Sequence, residues 1–334
     1  MRHGKLQNAV LRRKDSIHVG DIMQKNSGIG GQAIMEGIMM RNGEKYSIAV
    51  RRPDGGIESV IRPYKSICPI KGIMKIPILR GAVSFIDSMV VGVSSLMWSA
   101  EFAAEDEETD RETGTQKTKE EKEKEDRSFK WILTGTVIFA VGFSVVLFML
   151  LPFWLAGFLR RFGASDVVIN LTEAVLRLVI FLGYMLLISR MEDIQRVFSY
   201  HGAEHKCINC IEHGLPLSVE NVMKSSRQHK RCGTSFLLIV ISISIVAFLI
   251  LGLFGIRRGW MRFLMRLVLI PVIAGVSFEL LRFCGCHEGP VVDLLVKPGL
   301  ALQRLVTREP DEKMCEVAIT AIEEVFDWRE WQKQ

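Results

Sequence analysis

Cysteine is scarce in this chain. Seven in 334 residues are too few for the disulfide framework of a secreted protein of this length. An apolar core is missing from Met1 to Lys25, which are basic and polar, so no secretory signal peptide is expected there. No basic tract carries interleaved aromatics, and the formal net charge of +6 is modest, so nucleic acid is excluded as the expected partner. No thioredoxin-like pattern surrounds the C-x-x-C at Cys207 and Cys210, which argues against a redox pair. The apolar runs show no internal repeat, which ranks a transporter working through Glu173, Arg177 and Glu279 last among the functional readings.

What is abundant is apolar sequence beside charge. Hydrophobic residues make up 49% and charged residues 24%, a mixture that fits an integral membrane protein with sizeable polar parts. Four runs can each cover a hydrocarbon core of roughly 30 Å: Trp131 to Phe158, Val167 to Ile188, Ser235 to Ile256 and Phe263 to Phe283. The short turns at Arg160-Arg161 and Arg257-Arg258 carry few cations, whereas the amino-terminal region, residues 190–233 and the tail carry many. The positive-inside rule therefore puts those three on the cytosolic side of the plasma (inner) membrane. Residues 76–100 are apolar but interrupted by Arg80 and Asp87, and read as an interfacial, re-entrant or protein-buried helix. Were they to span, the amino-terminal unit would move outside.

The expected fold is mainly α: a polytopic helical membrane bundle of about four spans, with a small hairpin-containing unit before it. Residues 1–27 form a basic tail. Residues 28–100 form the β unit and the interrupted apolar helix. Within it, Tyr46 to Arg52 and Ile57 to Arg62 flank Pro53-Asp54-Gly55-Gly56, a good hairpin signal. Residues 101–127 are a Glu/Lys-rich linker that cannot bury a core. Residues 128–287 form the bundle, with a cytosolic His/Cys loop at 190–233. Residues 288–334 form a helical tail, its stripe of Val317, Ala321, Val325 and Trp328 marking an amphipathic helix.

Against this frame stands His201-Gly202-Ala203-Glu204-His205. Histidines four apart lie roughly 6 Å from each other along a helix axis and can reach one metal ion. The order H-x-x-E-H is the inverted zinc-hydrolase signature, in which Glu204 would work on a water at the metal. A catalytic zinc takes three protein ligands and a water, and the motif holds two. His229 is the nearest third candidate, Cys232 and Cys210 stand behind it, and Glu279 is favoured by analogy with the downstream glutamate of inverted-motif enzymes. Zn²⁺ is the expected cofactor. The alternative is a polar cluster with a structural role. Cys207 and Cys210 could close a structural zinc site with His201 or His205, and plain buried thiols are the blander reading. Cys284-Gly285-Cys286-His287 is too tight for a zinc knuckle alone.

Arg227, Lys230 and Arg231 precede the third span, with Cys232 beside them and Thr234 or Ser235 able to cap. Cations before a helix amino terminus favour an anion, here a phosphate or lipid head group. A positive-inside anchor is the alternative. Glu36, in the Gly-rich segment, is a further polar candidate or else a turn carboxylate. Glu173 and Arg177 are spaced to pair within a span. Membrane lipids, an anionic head group and self-association are the partners these features suggest.

The stretches Gly30 to Arg41, His201 to Lys206, Arg231 to Phe236 and Thr307 to Asp311 resemble those of the YqhQ-like bacterial membrane proteins, over roughly residues 27 to 327. That resemblance supports the architecture, and implies a metal-dependent enzyme without naming a substrate. Two readings follow. In one, a metal-dependent hydrolase at the cytosolic face acts on a membrane-linked peptide or a lipid-like phosphate ester. In the other, a non-catalytic scaffold or lipid-binding module carries a structural His/Cys cluster.

Overall fold

A computed structural model describes residues 26–68, 70, 72–109, 119–253 and 259–333. Four strands, β1 (Gly30–Ile34), β2 (Gly37–Asn42), β3 (Lys45–Arg51) and β4 (Ile57–Pro63), form an antiparallel meander in sequence order. Two-residue turns at Met35-Glu36 and Gly43-Glu44 set the register, pairing Ile34 with Gly37 and Asn42 with Lys45. Both need a left-handed residue: Gly43 has φ +57° and Glu36 has φ +51°. Glu36 is held there by a two-pronged ion pair with Arg196, and its carbonyl accepts from Arg51 N at 2.8 Å. Glu36, a polar candidate or a turn carboxylate in sequence, thus sits in the turn and ties it to the helix that carries the histidines.

Both faces of the sheet are covered, so its strands read as apolar runs rather than alternating ones. Helix α1 (Pro77–Thr109) lies on one face, where Val91, Trp98 and Phe102 pack against Ile34, Met39, Ile48 and Val50. On the other face lie α5 (Glu192–Glu212) and α10 (Glu312–Val325), packed on Ile38, Met40 and Ala49. The carboxy-terminal helix expected from the apolar stripe is therefore a core element of the polar unit. Asp311 caps it by accepting from Met314 N at 2.7 Å, and Ala321 O accepts from Ser47 Oγ at 2.5 Å.

The remaining helices are α2 (Lys119–Val145), which runs through a π turn at Val146–Leu150 into α3 (Leu151–Phe158), then α4 (Asp166–Ile188), α6 (Val219–Lys224), α7 (Gly233–Leu253), α8 (Gly259–Cys286), α9 (Pro290–Val306) and α11 (Trp328–Lys333). Among the described residues five helical stretches are long and apolar enough to cross a membrane: Pro77–Ala100, Thr134–Phe162, Asp166–Ile188, Gly233–Gly252 and Phe263–Cys286. Four correspond to the runs read from sequence, and the fifth is the interrupted run at 76–100. The charged segment after residue 100 is helical where described, at 101–109 and from 119 onward.

Helix α1 has two environments. Its first turns meet α8, where Gly81 and Gly275 allow backbone contact and Arg80 binds Glu279 through Nη2 to Oε2 at 2.6 Å. Farther along, Asp87 accepts from Tyr64 Oη and Ile67 N, both at 2.8 Å, and Gly92 makes room for the Gln32 side chain. Inside the bundle, Glu173 accepts from Arg177 at 2.8 Å and from Arg266 at 2.6 Å, one carboxylate shared by two arginines. That pairing places the charges within the bundle rather than toward lipid.

Candidate metal site

From Tyr200 to Glu212, α5 is buried almost all round although its sequence is polar. Such a helix is stable only if its polar groups find partners. Most do. Lys206 Nζ donates to Met223 O at 2.8 Å and Ser225 O at 3.0 Å, and pairs with Glu309 at 3.0 Å. Asn209 Nδ2 donates to Ser226 O at 2.7 Å and Gln228 O at 2.9 Å. Together these two side chains gather the carbonyls of 223–228 and fix the loop that leads to Cys232.

Glu212 accepts from Ser27 N and Ser27 Oγ, both at 2.7 Å, from Arg231 Nη2 at 2.5 Å and from His229 Nε2 at 3.4 Å. Burial would raise its carboxyl, but His229 and Arg231 together hold it down at about 2. Burial lowers His229 to about 4, against the pull of the Glu212 hydrogen bond, so this imidazole is neutral. Gln303 binds the same loop from α9, donating to His229 O at 2.8 Å and accepting from His229 N at 2.9 Å.

The two motif histidines differ from these. His201 Nδ1 bonds Val306 O at 2.9 Å, and His205 Nδ1 bonds Arg227 O at 2.6 Å. A carbonyl only accepts, so each ring carries a proton on Nδ1 and turns its Nε2 into the group. Both Nε2 atoms converge on Cys232. His201 Nε2 is 3.2 Å from Sγ, and the ligand atoms of His201, His205 and Cys232 all lie within 4.8 Å of one another. His205 Nε2 is buried and has no hydrogen-bond partner among the described residues. Backbone-anchored imidazoles of this kind are how proteins orient metal-binding histidines. With Zn–N and Zn–S distances of about 2.1 and 2.3 Å, tetrahedral ligands lie about 3.4–3.6 Å apart, which this group can meet. The residues present fit a metal ion.

Cys232 precedes α7. Thr234 N approaches its Sγ at 3.4 Å and Thr234 Oγ1 at 3.0 Å. Burial opposes ionisation of this thiol, but the His201 and His205 imidazoles outweigh it and hold the group well below its ordinary range. Burial likewise opposes charge on His201, and the thiolate beside it raises that imidazole to about 9. Glu204 is buried next to the group. Burial raises its carboxyl, with His201 and His205 pulling partly back, and it makes no hydrogen bond among the described residues.

Two glycines let this arrangement form. A Cβ on Gly202 would run into Arg308 O, so only glycine lets the 306–310 segment lie on α5 and bring Val306 O to His201. A Cβ on Gly31 would stand 2.8 Å from Glu204 Cδ, so β1 passes directly over that carboxyl. The four sequence stretches singled out above, around Gly31, His201, Cys232 and Thr307, thus meet at one place.

Other candidates lie elsewhere. Glu279 is engaged by Arg80, and its position on α8 places it with the first turns of α1. His229 lies beside His205, with ring centroids 5.6 Å apart, but its Nε2 is turned to Glu212. Arg231 pairs with Glu212 and Arg227 with Glu309 at 3.8 Å, so carboxylates already occupy cations that suggested an anion site; Lys230 is buried. Cys207 and Cys210 are buried in the core of the polar unit, outside the His/Cys group. Sequence reasoning ranked Cys232 behind His229 and Glu279. The two carbonyl anchors it did not name at all, because a backbone oxygen leaves no sequence signature.

Residues 76–328 match the family described as "Protein of unknown function (DUF1385)". The chain is also 37% identical over 300 residues to "Uncharacterized protein YqhQ" of Bacillus subtilis (strain 168), covering 89% of this chain and 92% of that protein. No solved structure matches.

Proposed function

The chain belongs to the DUF1385 family, and on that premise we propose that it is a multi-pass plasma-membrane protein with a metal-dependent hydrolytic site facing the cytosol. The observation that carries this reading is the pair of carbonyl-anchored histidines, which turn their Nε2 atoms toward Cys232 Sγ, that of His205 buried and without a hydrogen-bond partner among the described residues. His201, His205 and Cys232 would hold the metal. An N₂S donor set suits zinc, a borderline-soft ion. Bound there, the metal would polarise a substrate carbonyl or phosphoryl oxygen and acidify a water. Glu204 is the proton acceptor beside it, kept basic by burial and free of competing hydrogen bonds. The substrate class is a membrane-linked peptide or a lipid-like phosphate ester.

A second reading, a structural His/Cys cluster in a scaffold, draws support from the burial of the group and the direct His201–Cys232 contact. Glu204 separates the two, since a structural site has no use for an unpartnered buried carboxyl. Glu204→Gln should keep its metal and lose about 10²- to 10⁴-fold in hydrolysis of any substrate found. Full activity in that variant would remove Glu204 from the chemistry.

We infer the sidedness from parity together with the positive-inside rule. The sheet and α5 pack together, so residues 63 and 192 lie at one end of the bundle. Three apolar helices lie between them, an odd number, so one does not cross. We assign that role to α1. It begins beside Gly275, about 16 Å below the end of α8 at 1.5 Å per residue, and its later turns lie on the sheet. Four crossings then put the sheet, the 190–233 loop and the tail together in the cytosol. Single cysteines at exposed Glu44 and Glu220 are expected to react with an impermeant thiol reagent from the cytosolic side, and one at Arg161 from the other. Opposite labelling of positions 44 and 220 would mean that α1 crosses.

A further inference from the structure

The sheet ends at β1, and β1 is the strand that passes over Glu204. In an antiparallel ladder joined by a two-residue turn, the residues flanking the turn exchange both hydrogen bonds, and alternate pairs thereafter do the same. Ile34–Gly37, Gln32–Met39 and Gly30–Arg41 are therefore the bonded pairs. Arg51 N, which bonds Glu36 O, fixes the same phase in the next ladder. Gly31 and Ala33 thus turn their N–H and C=O away from β2. Neither has a hydrogen-bond partner for these groups among the described residues, and both residues are partly exposed. Gly28 and Gly30, exposed and with nothing within 4 Å of a would-be Cβ, leave the approach bare.

An edge strand with free donors and acceptors is a template for one kind of ligand, another extended polypeptide. We infer that the free edge of β1 docks an extended segment of a membrane-linked polypeptide and lays its main chain alongside Glu204, His201 and Cys232. This rests on the hydrolase reading above and narrows its substrate to a peptide. A phosphate ester offers no ladder of alternating N–H and C=O groups to this edge. The cations that would have held a phosphate, Arg231 and Arg227, face Glu212 and Glu309. The reaction is hydrolysis of one amide. Water's oxygen bonds the acyl carbon, the C–N bond breaks, and the two protons end on the new amine and on the acid or its base, with no change of oxidation state.

Specificity would come from the two flanking surfaces rather than from the edge itself, because main-chain pairing reads no sequence. One side chain set of the docked strand would point toward α5, the other toward α1.

The test uses the full-length chain in detergent, loaded with zinc, and a randomised library of decapeptides selected on it for binding. Ala33→Pro removes one outward N–H without touching the β2 ladder, as proline is tolerated on a strand edge. Selected peptides are expected to bind the wild type and to lose at least tenfold in affinity for Ala33→Pro. Methylating alternate amide nitrogens of the peptide should have a like effect on the unmodified protein, independent of any folding defect. Zinc content should be the same in both proteins. Peptides that bind both proteins alike, or a selection that enriches nothing on the wild type, would overturn the inference. So would self-association of the wild type through β1 that Ala33→Pro abolishes, since the edge would then belong to a second copy. A wild type that takes up no zinc defeats the metal reading instead, whatever the peptides do.

Discussion

Purified wild-type protein is expected to carry about one equivalent of zinc or another transition metal, and His205→Ala to carry almost none. His205 supplies the one buried ring nitrogen in the group without a partner, and its other nitrogen is fixed by Arg227 O at 2.6 Å. The ring cannot turn away without breaking that bond in a buried setting, so in the absence of metal its lone pair stays uncompensated. Removing the ring leaves two ligands, and a site with two ligands holds zinc far more weakly than one with three. Cys232→Ser should lose the metal as well, since a hydroxyl replaces a thiolate that the two imidazoles favour. His229→Ala is the informative contrast. Its Nε2 faces Glu212, so the metal content should survive that change even if stability falls. Elemental mass spectrometry on the four proteins decides the matter. A wild type free of metal after reconstitution with zinc would reduce the group to a polar cluster.

Glu212→Ala is the substitution with the largest expected cost to the fold, about 3–5 kcal/mol, the usual consequence of deleting one partner of a buried ion pair. Glu212 is 1% exposed, and its two oxygens take hydrogen bonds from Ser27, Arg231 and His229. Alanine would remove the carboxylate that Arg231 binds, open a void and untie Ser27, which precedes β1. Because Arg231 adjoins Cys232, the metal should bind more weakly too, though not vanish. Limited proteolysis of the 190–233 loop, with thermal unfolding in detergent, reads the loss. A protein as resistant and as stable as the wild type would show that the network contributes little.

The same network sets an acid limit. Glu212 titrates at about 2 in the folded protein against an ordinary 4.5, and His229 at about 4 against 6.5. Both are depressed, so at intermediate pH the unfolded chain binds more protons than the folded one, and stability falls as pH falls. The His229 contribution is complete above about 6.5 and fades toward 4, and that of Glu212 is complete above about 4.5 and fades toward 2.

Much of this molecule is written locally. Runs of twenty-odd apolar residues can be recognised as membrane-crossing helices because a helix of fixed rise must match a slab of fixed thickness. The Asp54-Gly55-Gly56 turn announces its hairpin because few residues adopt its dihedrals. His201 and His205 share a face because 3.6 residues make a turn. All of these are relations among near neighbours, legible before any long-range packing is known. The third member of the site was decided otherwise. Cys232, 27 residues beyond His205, reaches the histidines because Lys206 and Asn209 bind the intervening loop by its carbonyls, contacts indifferent to the side chains of that loop. Glu279, equally plausible in sequence, is drawn to Arg80, 199 positions away. Helix α10 joins a sheet begun nearly three hundred residues earlier because its buried stripe needs an apolar face, and the nearest one in space was the nearest in no window of sequence. Even the fifth apolar run, long enough to cross a membrane, packs its later turns on the sheet, a contact no local pattern announces. Those outcomes depend on which surfaces meet when the whole chain packs, and no stretch of near neighbours encodes that.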